Sequence, residues 1–219
     1  ALAARTLGEN RHAVAVIGAA LAVGAALVIE YLDDTIRTTE DAAQTTALPV
    51  LGAIVRFGKK REAYSKMLLT NFPSMSPIAE SYRLARTNML FTTQDRKGVF
   101  IVSSANPQEG KTVTIANLAV SMAQGGLQVL LIDADLRRPK MHEVFNLENK
   151  VGLTTLLFSD PTQMNGSGAR SIDNDGSDLP QSFRQCVQYT GIPKLRVLTS
   201  GFIPSNPTEI LGSALMAKW

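Results

Sequence analysis

The sequence predicts an α/β fold with a mostly parallel sheet and flanking helices, preceded by one transmembrane helix. Three observations support this fold class. Residues 13–29 form an apolar run without charge, residues 99–133 alternate between strand-like and helix-like patterns, and two short motifs lie in the turns between those elements. In folds of this kind, functional side chains collect where the parallel strands end.

The apolar run AVAVIGAALAVGAALVI contains no polar side chain. A membrane-spanning helix needs roughly 20 apolar residues, and Tyr31 and Leu32 extend this run past Glu30. A secretory signal would end in a small-residue cleavage site, which the residues after the run do not provide. A buried core helix is the other alternative, but it would show an amphipathic stripe. We therefore predict a transmembrane helix over residues 13–32.

The remaining elements follow from their apolar patterns. VFIVSS (99–104) and LQVLLID (127–133) predict buried strands, and the helix KTVTIANLAVSMAQ (111–124) lies between them and stops at Gly125-Gly126. This order is one βαβ unit, and uninterrupted apolar strands suit a parallel sheet covered on both faces. LRVLTSG (195–201) predicts a further strand. Pro77, after a Ser76 cap, predicts a helix that runs to residue 91.

The strongest motif is ANPQEGKT, residues 105–112. It matches the phosphate-loop pattern G-x-x-x-x-G-K-[ST] except that Ala105 replaces the first Gly. Backbone N–H groups of such a loop and the positive end of the following helix face an anion, so the motif predicts nucleotide binding and a P-loop NTPase-type sheet. Lys111 would contact the β and γ phosphates, and the Thr112 hydroxyl would ligate Mg²⁺. The predicted cofactor-binding residues of the loop are Pro107, Gln108, Glu109, Gly110, Lys111, Thr112 and Val113.

The second motif, LLIDADLRRP (130–139), places Asp133 and Asp135 at the end of a strand and beside the phosphate loop. The two carboxylates could hold Mg²⁺ through water, and one could accept a proton from an attacking hydroxyl group. We therefore predict Lys111, Asp133 and Asp135 as catalytic residues, and Thr112, Asp133 and Asp135 as metal ligands. Arg137 is a further cofactor-binding candidate, with a plain salt bridge as the alternative.

Together these motifs resemble those of the bacterial tyrosine kinases that accompany chain-length determinants of capsule and exopolysaccharide export. EYLDDTIRT (30–38) and LPVLGAI (48–54) resemble the membrane-proximal end of a chain-length determinant fused ahead of its kinase. PSNPTEILGS (204–213) resembles a segment that precedes the next helix in these kinases. The resemblance implies transfer of phosphate from ATP, with Mg²⁺, to protein tyrosines, and partners in the polysaccharide-export machinery.

The resemblance also implies a location at the bacterial cytoplasmic membrane, with the kinase domain in the cytoplasm. Arg5 and Arg11 precede the apolar run, so the basic-residue rule weakly favours the opposite orientation. We nevertheless place the domain after the apolar run in the cytoplasm, because its nucleotide chemistry requires that compartment. Glu80, Arg83 and Arg86 match the family's E-x-x-R-x-x-R motif, which implies subunit contacts in a ring-forming homo-oligomer. Their spacing puts them near one helix face, and an exposed charged stripe is the alternative.

Two family features, a later strand ending in Asp and a tyrosine-rich tail, do not occur in the sequence, which begins with Ala. We therefore expect a fragment that phosphorylates tyrosine poorly by itself. The predicted organisation is the end of an extracytoplasmic segment (1–12), the transmembrane helix (13–32), a juxtamembrane linker (33–75) and the N-terminal part of the kinase domain (76–219). A Ser-, Asp-, Asn- and Gly-rich surface insertion covers residues 159–182.

Composition excludes several other classes. The net charge of +3 is too small for a dedicated nucleic-acid binder, and the single cysteine, Cys186, excludes an internal disulfide framework. Partitioning ATPases of the same P-loop branch carry a lysine at the position of Asn106, so the sequence disfavours that class. A membrane-anchored chain-length regulator whose P-loop domain only binds nucleotide remains an alternative.

Overall fold

The computed structural model describes residues 2–33, 35–58, 62–92, 98–158, 181–214 and 216. The chain divides into two compact units, residues 1–50 and 51–219. Most of the predicted surface insertion, residues 159–180, lies outside the described residues, and a helix begins at Gln181 near its end. The basic run Lys59-Lys60-Arg61 also lies outside them.

The first unit contains two helices. Helix α1 (Leu2–Tyr31) includes the predicted span, of which Ala13–Tyr31 is long and apolar enough to cross a membrane, with a mean hydropathy of 2.3. Helix α2 (Thr39–Thr46) lies in the polar stretch where no helix was predicted. It forms because Thr38 and Asp41 make a reciprocal capping box that satisfies two backbone N–H groups at its start.

The second unit contains the remaining elements. After two short 3₁₀ turns (Tyr64–Met67 and Leu69–Asn71), the helices and strands follow in the order α3 (Pro77–Phe91), α4 (Lys111–Gln124), β1 (Val129–Ile132), α5 (Met141–Phe145), α6 (Leu153–Phe158), α7 (Gln181–Cys186), β2 (Val187–Tyr189), β3 (Leu195–Leu198) and α8 (Pro207–Leu211). The predicted bounds of α3 and α4 are confirmed. Ser76 Oγ accepts a hydrogen bond from Ala79 N at the start of α3, and Gly126 has φ +95° just after α4.

The described sheet has three strands in the order β1-β3-β2. The pairing of β1 with β3 is parallel, as predicted, from Val129 opposite Leu195 to Ile132 opposite Leu198. Strand β2 pairs antiparallel with β3, so the sheet is mixed. The short strand β2 carries no turn signal before it, and the sequence analysis did not predict it.

The predicted strand over residues 99–104 is wrong for the described structure. The segment has no strand hydrogen bonding, and Val99 and Ile101 are 95% and 91% exposed. Phe100 packs against a cluster of Met89, Leu118 and Met122. An apolar segment becomes a strand only when a neighbour satisfies its backbone groups, and no described strand lies beside this one. The sequence also predicted a sheet that is covered on both faces. This prediction is wrong for β1, because Leu130 and Ile132 are 40% and 46% exposed.

The main core lies between α3, α4 and the sheet, and it includes residues well before α3. Leu68 and Leu69 are buried in it, with Ile54 and Phe57 packed against its edge. Asn117 of α4 fixes this segment: its side-chain oxygen accepts from Leu69 N at 2.8 Å, and its amide donates to Met67 O at 2.8 Å. Helix α4 thus packs in the main core and is also joined through Asn117 to the segment before α3.

Candidate active site

Residues 105–110 form an exposed loop that leads directly into α4 at Lys111. Gln108 and Gly110 have φ of +68° and +88°, the left-handed region in which glycine is favoured. Successive backbone N–H groups in such a turn form an anion-binding concavity, and here it opens at the positive end of a 14-residue helix. The Glu109 carboxylate accepts bonds from Asn106 N and Nδ2, both at 3.1 Å, which close the loop. These Asn106 donors lower the pKa of Glu109.

Lys111 reaches from this loop to the second motif. Its Nζ lies 3.3 Å from Asp135 Oδ2, and both side chains are 34% exposed. Thr112 and Val113 follow in the first turn of α4 and are half-buried, whereas Pro107 lies in the exposed turn. The structure thus brings the two predicted motifs together through one ion pair.

Asp133 and Asp135 follow β1 but occupy different environments. Asp133 is 5% exposed, and its carboxylate accepts three backbone bonds, from Asp135 N at 3.1 Å, Lys140 N at 3.1 Å and Met141 N at 3.0 Å. Burial raises the pKa of Asp133, and this effect outweighs the three donors. Because both oxygens accept bonds from the backbone, Asp133 shapes the loop after β1.

Asp135 is the more accessible carboxylate. Its Oδ1 accepts from Arg137 N at 3.3 Å and Arg138 N at 3.0 Å, while Oδ2 faces Lys111. Burial acts to raise the pKa of Asp135, but the Arg138 and Lys111 donors outweigh it and the net shift is downward. Asp135 is therefore ionised at neutral pH and stands at the surface of the site.

Arg137 makes a contact that the sequence analysis missed. Its Nη2 donates to Thr208 Oγ1 at 2.8 Å, which joins the loop after β1 to the first turn of α8. Thr208 lies in the PSNPTEILGS segment, so that resemblance was the available signal. Lys140 and Met141 contribute to the site through their backbone N–H groups, which donate to Asp133. Backbone groups leave no signal in the sequence.

The predicted assembly residues lie on α3, and their partners differ. Arg83 Nη1 pairs with Glu80 Oε2 at 2.6 Å, and Arg83 also donates to the Ser74 carbonyl group. Arg86 Nη1 instead donates to Ser121 O of α4 at 2.7 Å. A side chain at Gly125 would come within 2.6 Å of the Arg86 guanidinium, so the glycine makes room for this contact. Arg86 thus helps to hold α3 against α4.

Comparisons with known proteins identify relatives of this chain. The family described as the CobQ/CobB/MinD/ParA nucleotide binding domain matches residues 100–205. Tyrosine-protein kinase YwqD of Bacillus subtilis is 46% identical over 142 residues, which cover 64% of this chain and 51% of YwqD. The crystal structure of the chimerical protein CapA2B2 superposes with a TM-score of 0.62 at 34% identity, covering 83% of this chain and 68% of that one. The chain belongs to the bacterial tyrosine-kinase family.

Other members of the tyrosine-kinase family match a longer part of the chain. The putative tyrosine-protein kinase EpsB of Ralstonia nicotianae is 31% identical over 212 residues, which cover 93% of this chain but 26% of EpsB. The chain thus spans about half of YwqD and about a quarter of EpsB. The family membership confirms the P-loop fold class.

Proposed function

We propose that the protein is an ATP-dependent tyrosine kinase that phosphorylates copies of itself. The observation that carries the proposal is the 3.3 Å contact between Lys111 Nζ and Asp135 Oδ2 beside the N-terminus of α4. A cation, a carboxylate and a row of backbone N–H groups at one point are the groups that phosphoryl transfer uses.

Each group has a role set by its chemistry. The loop N–H groups from Gln108 onward would hold the phosphate oxygens, and Lys111 would neutralise charge on the β and γ phosphates. The hydroxyl group of Thr112 and the Asp135 carboxylate are hard oxygen donors that fit Mg²⁺, which would supply further positive charge when bound. Asp133, with both oxygens engaged, would hold this arrangement and contact metal-bound water. Asp135 is the ionised group able to accept a tyrosine proton.

The proposal includes a place and an assembly. Residues 13–32 would anchor the protein in the bacterial cytoplasmic membrane, with residues 51–219 in the cytoplasm. The support is the helix itself, because Ala13–Tyr31 is long and apolar enough to cross a membrane and is exposed along its whole length. The resemblance of residues 30–38 and 48–54 to the end of a chain-length determinant supports a role in capsule or exopolysaccharide export. Glu80 and Arg83 support assembly into a ring, since both reach the surface of α3.

The test is the change Lys111→Met, which removes the charge and keeps a stem of similar length. A charge-assisted contact contributes about 1.5–3 kcal/mol, so the affinity for Mg²⁺-ATP should fall about 10- to 100-fold. Calorimetry on the full chain in detergent measures this. Lys150→Met is the matched control, because Lys150 pairs with Glu148 at the surface and is 80% exposed. Equal affinities in both variants would contradict the proposed site.

Turnover separates the kinase from a domain that only binds nucleotide. The full-length protein, rather than this chain by itself, should transfer labelled phosphate from ATP to tyrosine, and its Lys111→Met variant should not. Tight binding of ATP without any phosphotyrosine would instead support the chain-length regulator.

A further inference from the structure

The four tyrosines differ sharply in their exposure. Tyr82 is 1% exposed, Tyr64 packs against the main core, and Tyr31 ends the apolar helix α1. Tyr189 is 68% exposed at the end of β2. It is therefore the tyrosine of the second unit that another protein can reach without unfolding.

The surroundings of Tyr189 suit a phosphate group. Strand β2 is an edge of the described sheet and pairs only with β3, where Arg196 lies opposite Tyr189. The Arg196 guanidinium carbon lies 4.9 Å from the centre of the tyrosine ring. Lys194 follows in the turn between the strands, which the Thr190 hydroxyl braces by accepting from Ile192 N at 3.1 Å. Arg196 is thus the cation beside the ring, whereas Lys194 Nζ donates to Gly126 O at 3.0 Å.

We infer that Tyr189 is a phosphate acceptor of this protein, which rests on the proposed kinase function. In the reaction, the phenolic oxygen of Tyr189 forms a bond to the γ-phosphorus of ATP. The bond from that phosphorus to the β,γ-bridging oxygen breaks, ADP leaves, and the phenolic proton is released. The product carries about two negative charges at neutral pH.

The acting site belongs to another copy of the chain. Tyr189 lies opposite Arg196, and Arg196 lies opposite Leu130, three residues before Asp133. Two strand spacings and three residues along the strand place the Tyr189 and Asp133 backbones about 14 Å apart. The ladder hydrogen bonds hold the Tyr189 backbone on the edge strand β2, and β3 separates it from β1, the strand that leads to Asp135. The inference therefore includes transfer between molecules.

The phosphate would then pair with Arg196. The guanidinium group already lies over the ring, and a bidentate contact with phosphate oxygens is stronger than its contact with the ring face. Such a pair would join β2 to β3 through side chains and shield the phosphate from phosphatases.

The test uses full-chain Lys111→Met protein as the substrate and a differently tagged full-length wild-type protein as the kinase, with labelled ATP and Mg²⁺. Trypsin releases residues 185–194 (QCVQYTGIPK) as one peptide, and Tyr189 is its single tyrosine. We expect this peptide from the Lys111→Met chain to gain one phosphoryl group, and Tyr189→Phe to abolish that product. Tyr64→Phe is the matched control and should leave it unchanged.

The outcomes distinguish the two proposals. Absence of phosphotyrosine from every peptide of both chains would overturn the kinase function itself. Phosphotyrosine on other peptides, with this one unmodified, would overturn the assignment of Tyr189 alone. Labelling confined to the wild-type chain would overturn transfer between molecules. Arg196→Gln should speed removal of the phosphate by an added phosphatase several-fold, whereas Arg56→Gln should not. Equal rates would overturn the role of Arg196.

Discussion

At the residue scale, Asp133 and Asp135 show how burial separates two carboxylates that the sequence presents as a pair. Asp133 is enclosed by backbone N–H groups, and burial raises its pKa, while Asp135 stays at the surface with a lowered pKa. Pairs of titratable groups whose environments move their pKa values apart commonly divide the roles of a site. Asp135 is the residue of the two that could act directly on a substrate.

Gly152 supports the same site through the backbone. Leu153 N and Thr154 N, just after it, donate to Thr199 O at 2.8 Å and Ser200 O at 2.9 Å. These bonds fix the segment that leads from β3 toward Thr208. A Cβ atom at Gly152 would overlap the Thr199 carbonyl oxygen, which is backbone and cannot rotate away.

We predict that Gly152→Ala lowers the free energy of unfolding by about 1–3 kcal/mol, the usual cost of overpacking. Gly191→Ala is the matched control, because nothing lies within 4 Å of a Cβ at that position and its φ is not positive. Its effect should stay within about 0.5 kcal/mol. Urea denaturation of the full chain in detergent measures both. Equal free energies of unfolding in the two variants would contradict the predicted overlap between a Cβ at position 152 and the Thr199 carbonyl oxygen.

At the element scale, the charged residues of the E-x-x-R-x-x-R motif on α3 make two different kinds of contact. Glu80 and Arg83 form a surface pair, whereas Arg86 bonds to the Ser121 carbonyl near the end of α4. Replacing all three at once would mix an effect on assembly with an effect on stability.

We predict that the double change Glu80→Ala and Arg83→Ala shifts the protein toward monomer and leaves its unfolding midpoint nearly unchanged. Exposed pairs of this type contribute roughly 0–1 kcal/mol to folding, so stability should not suffer. Arg86→Ala should lower the midpoint instead. Light scattering and thermal unfolding of the full chain in detergent separate the two effects. The control pair is Glu148→Ala with Lys150→Ala, a second exposed ion pair. A molecular mass that stays the same in the Glu80 and Arg83 variant would identify the stripe as a solvated face.

At the scale of the whole molecule, the two units differ in what surrounds their apolar residues. The apolar side chains of residues 13–32 are exposed throughout, whereas those of the second unit form three core clusters. An exposed apolar helix of 19 residues matches the thickness of a bilayer.

We predict that the full chain pellets with bacterial membranes and resists carbonate extraction. Deletion of residues 1–32 should release it, because no other described helix is long and apolar enough to span a bilayer. Deletion of α2 is the control, since its eight residues are mostly polar and exposed, and that variant should stay in the membrane. Release of the undeleted chain by carbonate would contradict the anchor.

The sequence by itself determined the features whose interactions are local. The starts and ends of α3 and α4 and the apolar span depend on residues within about four positions of each other. Periodicity and capping residues therefore predicted them. The loop and the two aspartates were predicted for the same reason, because their chemistry is written in consecutive residues.

Only the tertiary structure decided the interactions between residues far apart in sequence. Residues 99–104 have the apolar pattern of a strand but no described partner, and a strand depends on its neighbour's backbone. The different states of Asp133 and Asp135, the contact of Arg137 with Thr208 and that of Arg86 with Ser121 likewise depend on groups brought together by folding. Burial and the choice of hydrogen-bond partner are properties of the packed chain, and no local pattern specifies them.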